Sequence, residues 1–560
     1  MEASGLMLCG VDKLERSFLP CKNVDPTKKV GVFYFLWHGD ANDRSMGEIY
    51  NITELLREHP DDLWNIEGTP LSPKGKFHYW DQPIFGYYKS VDKWVITRHM
   101  ELLINAGVDF LYLDATNAFI YPDSCRAIFE VLLEFEKNGK NPPKVMFYTN
   151  SNSIRTITAI YNTYYTVPEY DSLWYRPEGK PIIVGNATVE TDSAEAALRG
   201  DTCSQEELAD HIREYFDIRP SQWPFDPVKD DGFPWMEWSY PQPIHNGIVN
   251  VSLCQHPHIP LSDSVKDRTR NMGRGYDFAL GKNVAEDVAR GTNAQSQWDT
   301  VHRNRDKVHT VTVTGWNEWI AIKLIMENRV FFVDTMNEEF SRDIEPQKGD
   351  GYEDTYYLQL ADNIRRFKGE IGLPDPVGQY TPAGMDWEGG VRYDAVTLQQ
   401  ISRDCYGVDN RVRYVLPPAR NNLQCVSVAN DASRLYFRIQ SADVLCSADK
   451  EDFLNLYLGN DIPALKGWES YELQVIPSLG KVFAIDGQKR RTEVCDATCL
   501  VEGKVALISI PMEALSCDEG IYFKVTDGFD STDIMDSYTD GKCMPMGRAS
   551  WYYRLSKDKK

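Results

Sequence analysis

Apolar runs rich in β-branched and aromatic residues alternate with amphipathic stretches along most of the chain. Short apolar or alternating runs indicate strands, and apolar positions spaced three and four apart indicate helices. Strands are predicted at 30–37, 108–114, 145–150, 181–186, 233–238, 248–255, 309–316 and 330–334. Helices are predicted at 92–105, 122–137, 151–164, 204–217 and 294–305, and after the last strand at 355–368.

Strands that alternate with helices in this way predict a parallel sheet with crossover helices. We therefore predict an α/β fold in which residues 29–370 form a (β/α)8 TIM barrel with long loops. The alternative is a doubly wound open sheet, but no glycine-rich phosphate loop follows the first strand. In a barrel, the loops at the carboxyl ends of the strands build the active site.

The pattern changes after residue 370. Residues that cannot continue a helix crowd the next stretch: Pro374, Pro376, Gly378, Pro382 and Gly384. Short alternating strands follow at 423–428, 435–439, 453–458, 471–476, 505–511 and 520–526. We predict an N-terminal segment over 1–28, a linker over 371–393 and a β-sandwich over 394–560. The boundary also predicts that residues 1 to about 375 fold alone.

The strand predicted at 309–316 runs into the sequence VTVTGWNEW at 311–319, which places Glu318 between tryptophans. Tryptophan faces stack on sugar rings, and a carboxyl among aromatic side chains loses solvation, which raises its pKa toward values useful in proton transfer. Glu318 is therefore the first candidate for a catalytic group. The alternative is a strand-end glutamate held in a structural hydrogen-bond network.

The other predicted strand ends also carry polar and aromatic residues. They are Trp37, His38, Asp40, Asp114, Asn117, Asn150, Asn152, Asn186, Glu237, Trp238, Gln255, His256 and Asp334. Carboxylates, amides and aromatic rings that converge on one rim suit a hydroxyl-rich ligand, because each sugar hydroxyl both donates and accepts hydrogen bonds. Taken singly, each of these residues is better explained as a loop cap or a turn former than as a ligand contact, and it is the set that indicates a site.

Several motifs occur in the order found in one enzyme family. They are WDQPIFGYY at 80–88, RHM at 98–100, AGVDF at 106–110, WNEW at 316–319, IEP at 344–346 and YYL at 356–358. Over residues 30–370 the chain resembles the endo-α-mannosidase-like glycoside hydrolases of family 99 and related polysaccharide-processing barrels. The resemblance implies a retaining glycosidase without a cofactor, in which Glu318 deprotonates the sugar 2-hydroxyl for attack on the anomeric carbon. It also suggests sugar contacts by Tyr87, Trp316, Asn317 and Trp319.

The chain departs from this family at the general acid. The family places that residue three positions after the glutamate, where this chain has Ala321. Glu237, Asp114 and Glu345 are the carboxyls available to replace it. Glu237 ranks first because Trp235, Met236 and Trp238 surround it with apolar surface, and Asp114 ranks second at the end of an apolar strand. Arg342 would lower rather than raise the pKa of Glu345.

Two further groups allow other interpretations. His38, Asp40, His256 and His258 could form a metal site, although their spacing fits no established ligand pattern and histidines also hydrogen-bond sugars. A basic loop with Arg268, Arg270 and Arg274 could clamp an acidic sugar, but salt bridges within so acidic a chain are favoured. We predict no metal and no cofactor.

Composition limits the partners. The net charge of -23 opposes binding to nucleic acid or to an anionic membrane, so a neutral oligosaccharide or polysaccharide is the expected partner. The first residues lack a secretory signal, which predicts a cytoplasmic protein, or a secreted or periplasmic one if an export signal has been removed. The 12 cysteines lack zinc spacing and are expected to be reduced. The oligomeric state is not predicted.

Two functions remain open at this point. The favoured one is a glycoside hydrolase that cleaves a complex glycan or polysaccharide with two carboxyl groups. The alternative is a carbohydrate-binding or scaffold protein that has lost its general acid, as Ala321 indicates. The segments at 417–422 and 467–472 resemble parts of family 9-type carbohydrate-binding sandwiches, in which Trp468 would be either a sugar platform or a core residue.

Overall fold

A curled parallel sheet forms the first part of the molecule. The computed structural model describes residues 4–39, 47–199, 203, 206–349, 351–385, 387, 389–398 and 400–556. Seven parallel strands are hydrogen-bonded in the order Ile248–Ser252, Thr310–Thr314, Lys29–Tyr34, Phe110–Ala115, Lys144–Thr149, Ile182–Val184 and Asp217–Arg219. The α/β class and the parallel sheet predicted from the sequence are therefore confirmed.

A short parallel pair stands between the two ends of this sheet. Ser221–Gln222 pairs with Phe233–Pro234, and the Asn250 side chain donates a hydrogen bond to the Trp235 carbonyl at 3.0 Å. The Thr312 hydroxyl also donates to the Pro234 carbonyl, at 3.2 Å. Within the described ranges no strand ladder joins Phe233–Pro234 to Ile248–Ser252. The sheet is thus a curled half-barrel, and side-chain hydrogen bonds connect the short parallel pair to its first two strands.

Successive side chains of each strand point to opposite faces of the sheet. Along Phe110–Ala115, Phe110 and Tyr112 join an aromatic cluster inside the curl, and Leu111 and Leu113 pack outward against the helices. The interior cluster consists of Phe33, Phe35, Phe110, Tyr112, Met146, Tyr148, Tyr175, Ile182, Val184, Phe233 and Ile248. Because the side-chain period is two, Asp114 follows Tyr112 on the interior face at the carboxyl end of its strand.

Helices cover the outer face of the sheet. The α-helices are Ile52–Glu58, Pro60–Leu63, Lys93–Ala106, Pro122–Lys137, Ser153–Ile160, Val189–Arg199, Asp210–Tyr215, Thr292–Arg303, Thr355–Lys368 and Asp536–Asp540, and a π-helical turn spans Tyr161–Tyr165. Lys93–Ala106 begins where the Asp92 carboxylate accepts from the backbone N–H groups of Trp94 and Val95. It ends at Gly107, whose φ of 90° favours glycine.

Two element predictions are wrong. The strand predicted at 330–334 is instead Arg329–Phe331, which pairs antiparallel with Leu324–Met326 and lies outside the parallel sheet. The helix predicted at 204–217 is reduced to Asp210–Tyr215, and Asp217–Arg219 is a parallel strand. All three residues of that strand are only half-buried, so it lacks the apolar run that identified the other strands.

Short antiparallel pairs complete the loops of the first part. They are Phe77–Tyr79 with Ile320–Ile322, Cys21–Lys22 with Glu370–Ile371, and Tyr276–Asp277 with Lys282–Asn283. The first of these pairs sets Ala321 opposite His78, and both residues are fully buried. A carboxyl at position 321 would therefore be enclosed by protein rather than presented to a substrate.

Two antiparallel sheets form the C-terminal part. One has the order Val391–Asp394, Leu423–Asn430, Arg434–Ser441, Val505–Pro511 and Thr498–Glu502. The other has the order Ser17–Phe18, Leu8–Val11, Ala549–Arg554, Gly520–Thr526, Asn455–Asn460, Leu473–Ile476, Lys481–Ile485 and Arg491–Asp496, with Cys543–Met544 beside Gly520–Thr526. The sheets contact one another where the rings of Phe437 and Phe523 lie 5.4 Å apart.

The second sheet takes strands from both ends of the chain. Leu8–Val11 pairs antiparallel with Ala549–Arg554, with Leu8 opposite Trp551 and Gly10 opposite Ala549. A separate hairpin, Arg403–Tyr406 with Arg413–Leu416, packs on the first part through Arg403, whose guanidinium donates to Asp92 at 2.8 Å. The domain boundaries predicted from the sequence are thus crossed by strand pairing and by a buried ion pair.

Arg548 anchors the C-terminal part to the helix Thr355–Lys368. Its guanidinium contacts Asp354 at 2.6 Å, Glu353 at 2.7 Å and Glu469 at 3.0 Å. Asp354 immediately precedes the helix, and Glu469 belongs to the C-terminal part. One buried cation therefore joins carboxylates from two regions that are distant in sequence.

Replacing Arg548 with methionine is expected to destabilise the protein strongly. Three carboxylates would lose their shared cation, and breaking a buried ion pair costs about 3–5 kcal/mol. Arg490→Met is the matched control, because the Arg490 side chain is 74% exposed and its ion-pair partner among the described residues is Asp486 alone. Urea unfolding at neutral pH should show a large loss for the first variant and a change of under about 1 kcal/mol for the second. Equal losses would contradict the anchoring role.

Within the described ranges, no helix is both long and apolar enough to cross a membrane. None of the cysteines, all of which are described, takes part in a disulfide.

Candidate active site

Glu318 lies in a buried ion pair at the carboxyl end of the parallel sheet. It follows the strand Thr310–Thr314, and its Oε2 accepts from Arg342 at 2.6 Å. Arg342 also reaches Asp334 at 3.5 Å and the Nδ1 of His256 at 3.2 Å. One guanidinium thus holds three polar side chains together.

Burial and the neighbouring charges together set the pKa values of this group. Burial raises the pKa of Glu318 well above its usual range, Arg342 offsets part of that rise, and Asp334 adds to it. Burial also raises the pKa of Asp334, again against the effect of Arg342. His256 is neutral, because burial and the nearby Arg342 lower its pKa to about 3. Glu318 is therefore a stronger base than an exposed glutamate once it is ionised.

Each acidic side chain of this group keeps one oxygen that no protein group binds. In the part of the chain that the structure describes, Oε1 of Glu318 and Oδ2 of Asp334 have no hydrogen-bond partner, and neither atom is enclosed. The Asp334 side chain is 31% exposed, while Glu318 is 2% exposed. A ligand can therefore reach the group from the side of Asp334.

Asp114 lies at the carboxyl end of the strand Phe110–Ala115, close enough to Asp334 for that carboxylate to affect its pKa. Its Oδ1 accepts from the backbone N–H and the hydroxyl of Thr116, at 3.0 and 2.7 Å. Burial raises the pKa of Asp114 to about 6, and the charge of Asp334 contributes to that rise. Its Oδ2 has no partner among the residues described and is not enclosed. Asp114 can therefore hold a proton in mildly acidic solution and donate it.

Half-buried tryptophans border these carboxyls. Trp37 stacks on Phe35 at 5.9 Å, above the interior aromatic cluster. The guanidinium of Arg342 lies 5.8 Å from the ring centre of Trp235, and Trp238 contacts His256 at 5.4 Å. Aromatic faces beside carboxylates suit sugar rings, which present apolar C–H faces and polar edges.

Glu237 is engaged elsewhere. Its Oε1 contacts the Nε2 of His245 at 2.7 Å, and no hydrogen bond or ion pair in the described ranges joins it to Glu318 or Arg342. Burial lowers the pKa of His245, but the hydrogen bonds to Glu237 and to the Lys229 carbonyl, together with the charges of Glu237 and Asp230, outweigh it, so the pKa of His245 is raised. Because Glu237 is bound to His245 rather than to the Glu318 group, Asp114 is favoured over Glu237 as the acid.

The tryptophans that flank Glu318 in sequence are fully buried. Trp319 stacks on Trp80 at 4.6 Å, and Trp316 contacts the His99 ring at 5.5 Å. Asn317 accepts from the Phe35 backbone N–H at 2.9 Å, which ties the Glu318 loop to the neighbouring strand. The predicted sugar contacts of Trp316, Asn317 and Trp319 are therefore replaced by roles in packing and loop anchoring.

The remaining predicted residues are dispersed. His38 is buried, stacks on Tyr88 at 5.3 Å, and has its pKa lowered to about 3 by burial. Tyr87 is half-buried and accepts from Asn51 at 3.0 Å. Asn150 is buried and accepts from the Ser221 hydroxyl at 3.1 Å. Asp40 lies outside the described residues.

Two carboxyls near Glu318 in sequence or in space are enclosed by protein. Glu345 accepts from Tyr88 and from Trp319, both at 2.7 Å, and Asp343 accepts from Trp80 at 2.6 Å. Sequence reasoning assigned Arg342 to Glu345, whereas it binds Glu318. The motif at 344–346 indicated that this segment belongs to the site. It did not indicate which carboxylate forms the ion pair with the neighbouring Arg342. Among the described residues no group of three or more metal-ligating side chains forms.

Comparisons with known proteins give structural likenesses only. No protein-family model and no curated protein matches the chain. The structure of the GH99 endo-α-mannosidase from Bacteroides thetaiotaomicron is similar with a TM-score of 0.33 and 15% identity, covering 62% of this chain and 98% of that one. Its complex with bis-tris propane gives a TM-score of 0.35 and 15% identity, covering 60% and 97%.

Proposed function

We propose that the protein is a glycoside hydrolase that cleaves a neutral oligosaccharide or polysaccharide. The observation that carries the proposal is that Glu318 and Asp334 share Arg342, that Asp114 lies close enough for the charge of Asp334 to raise its pKa, and that each carboxyl keeps one oxygen without a protein partner among the described residues. Two carboxylates beside one guanidinium disfavour uronic or sulfated sugars. They accept hydrogen bonds from the hydroxyls of neutral sugars.

The fold that we propose for this activity is a complete (β/α)8 barrel. Phe233–Pro234 would be the sixth strand, which is supported by its pairing with Ser221–Gln222 and by the hydrogen bonds that Asn250 and Thr312 donate to the Trp235 and Pro234 carbonyls. The two antiparallel sheets of the C-terminal part would form a β-sandwich. Trp468 in this part is fully buried, and its indole donates to the Thr532 carbonyl at 2.7 Å, so it would act in the core rather than as a sugar platform.

The proposed chemistry uses two carboxyls with different partners: Glu318 in its ionised form, which the contact with Arg342 favours, and Asp114 in its protonated form, which burial and the charge of Asp334 favour. Asp114 donates its proton to the glycosidic oxygen as the bond to the anomeric carbon breaks. Glu318 acts through Oε1 as the base, taking the proton of the sugar 2-hydroxyl while that oxygen attacks the anomeric carbon. Water then opens the resulting ring, Asp114 accepts the proton of that water, and Glu318 returns its own proton to the 2-oxygen. Arg342 holds Oε2 of Glu318 throughout.

Asp114→Asn is expected to remove the alkaline limb of the pH profile. Because the pKa of Asp114 is raised to about 6, the proton-donating form is present below that pH and is lost above it. The wild-type rate should therefore fall as pH rises through about 6, and the variant should lack that fall. Hydrolysis of unactivated glycans should drop by about 10²-fold or more, while aryl glycosides with good leaving groups lose far less. Glu237→Gln is the matched control, and equal losses on both substrate types would exclude Asp114 as the acid.

A binding assay combined with a turnover assay tests the function as a whole. The protein is screened on a glycan array, and the glycans it retains are then incubated with it while new reducing ends are measured. Turnover of neutral glycans supports the hydrolase. The second candidate is a carbohydrate-binding protein, favoured by Ala321, and retention without new reducing ends at any pH from 4 to 8 would establish it instead.

A further inference from the structure

Arg274 lies next to the segment that carries Arg342, and among the described residues no hydrogen bond or ion pair joins its side chain to Arg342 or Glu318. It is fully buried between two aromatic rings, with its guanidinium carbon 5.1 Å from the ring centre of Trp80 and 4.4 Å from that of Tyr356. Planar guanidinium groups bind well between aromatic faces. The two aromatic rings thus hold the Arg274 guanidinium in place independently of its hydrogen bonds.

The hydrogen bonds of Arg274 go to the two residues that flank Arg342. Its Nε donates to the Ser341 carbonyl at 3.0 Å, and its Nη2 donates to the Asp343 carbonyl at 2.8 Å. The carbonyl of Arg342 itself accepts from the Gly315 backbone N–H at 3.3 Å. Three consecutive carbonyls therefore have fixed partners, which sets the direction in which the Arg342 side chain leaves the backbone.

Trp80 links the Arg342 segment, which Arg274 binds, to the segment that carries Glu318. It stacks on Trp319, the residue after Glu318, with an interplanar angle of 10°, and its indole N–H donates to Asp343. Its backbone N–H also donates to the Trp319 carbonyl at 3.1 Å. Arg274 and Trp80 thus hold the segment that carries Arg342 and the segment that carries Glu318 in one arrangement.

We propose that Arg274 is a positioning residue that sets the contact between Arg342 and Glu318 by bridging the Ser341 and Asp343 carbonyls. The proposal rests on the proposed function of Glu318 as the base. A lysine at 274 has no planar fork to bridge both carbonyls between the two rings, so the Arg342 segment would gain freedom. A loosened Arg342 no longer offsets the burial of Glu318, whose pKa then rises further.

Arg274→Lys is expected to lower kcat by about 10-fold to 10²-fold with little change in KM, because the substrate contacts remain while the base is displaced. Protonated Glu318 is inactive as a base, so the acidic limb of the pH profile should also move to higher pH. Arg365→Lys is the matched control. Arg365 is another fully buried arginine that donates to two carbonyls, those of Ala361 and Asn105, and lies against the Phe18 ring, away from Glu318. Arg365→Lys should lower the free energy of unfolding without shifting the acidic limb of the pH profile.

A second measurement does not depend on turnover. Infrared difference spectra across a pH titration report carboxyl protonation, and the band that disappears in Glu318→Gln belongs to Glu318. That band should titrate at higher pH in Arg274→Lys than in the wild type. In Arg365→Lys its titration midpoint should be the same as in the wild type. An unshifted band would overturn the positioning role, even if glycans are hydrolysed. A shifted band in a protein that cleaves no glycan would keep the positioning role and refute the proposed function.

A variant that leaves Arg274 in place covers the case in which Arg274→Lys fails to fold. Tyr356→Leu removes the ring that lies 4.4 Å from the guanidinium, and it should shift the Glu318 band in the same direction by a smaller amount. No shift in this variant, in a folded protein, would also count against the proposal.

Discussion

Glu318→Gln is expected to reduce glycan hydrolysis by about 10²-fold or more while the protein remains folded. Glutamine keeps the shape of the side chain and an oxygen that accepts from Arg342, but it cannot take a proton. Arg342 retains Asp334 as a counter-charge, so the cation is not left alone in the interior. Initial rates on the glycans identified by the binding screen measure the loss, and circular dichroism confirms the fold.

The control for this substitution is Glu237→Gln, which alters an equally buried carboxylate that pairs with His245. We expect it to change the rate by less than about tenfold, since Glu237 does not contact the Glu318 group. Sugar affinity should be preserved in both variants, measured by titration calorimetry. Near wild-type rates for Glu318→Gln would exclude this residue from the chemistry, and a loss in Glu237→Gln as large as that in Glu318→Gln would restore Glu237 as the acid.

The second large effect is expected from truncation after residue 375. The sequence predicts that this fragment folds alone, but the structure gives reason to expect aggregation with exposed apolar surface. Leu8–Val11 would lose the strand Ala549–Arg554, and the buried Asp354 would lose Arg548. Each uncompensated buried charge costs about 3–5 kcal/mol. A few such losses exceed the stability of about 5–15 kcal/mol that a folded protein has.

Size-exclusion chromatography and dye binding to apolar surface measure this outcome for the isolated fragment. Co-expression with a second chain that begins at residue 376 is the control, because it returns Arg403 and Arg548 to their partners without restoring the peptide bond. Recovery of a soluble complex would attribute the defect to the lost contacts. A monomeric fragment that unfolds cooperatively by itself would show that the boundary predicted from the sequence is a true domain limit.

The sequence predicts the parallel sheet well because its strands are buried on both faces. Short, largely apolar runs such as 108–114 and 145–150 favour buried strands because they are too short for a typical helix. The same alternation places Asp114 on the interior face. Strand Asp217–Arg219 escapes this reasoning because its three residues are only half-buried, and their charged ends conceal the pattern.

The site was only partly predictable for a different reason. A sequence pattern shows that aromatic residues flank a carboxylate. It does not show whether their rings face solvent or the interior. Trp316 and Trp319 were expected to contact sugar, and both turn inward to pack on His99 and Trp80. The role of Arg342 depends on its contact with Glu318, 24 positions earlier and on the far side of three short strands, and no local pattern encodes that contact.

The pairing of Leu8–Val11 with Ala549–Arg554 also fixes an order of events during synthesis. Cys9 and Ser550, which lie opposite one another, are separated by 541 positions. At translation rates of about 5–20 residues per second, roughly half a minute to two minutes pass before the ribosome makes the partner strand. The strand Leu8–Val11 thus has Ser17–Phe18 on one edge long before Ala549–Arg554 is made to pair with the other. Until then the second edge of this strand remains open to other chains and to chaperones.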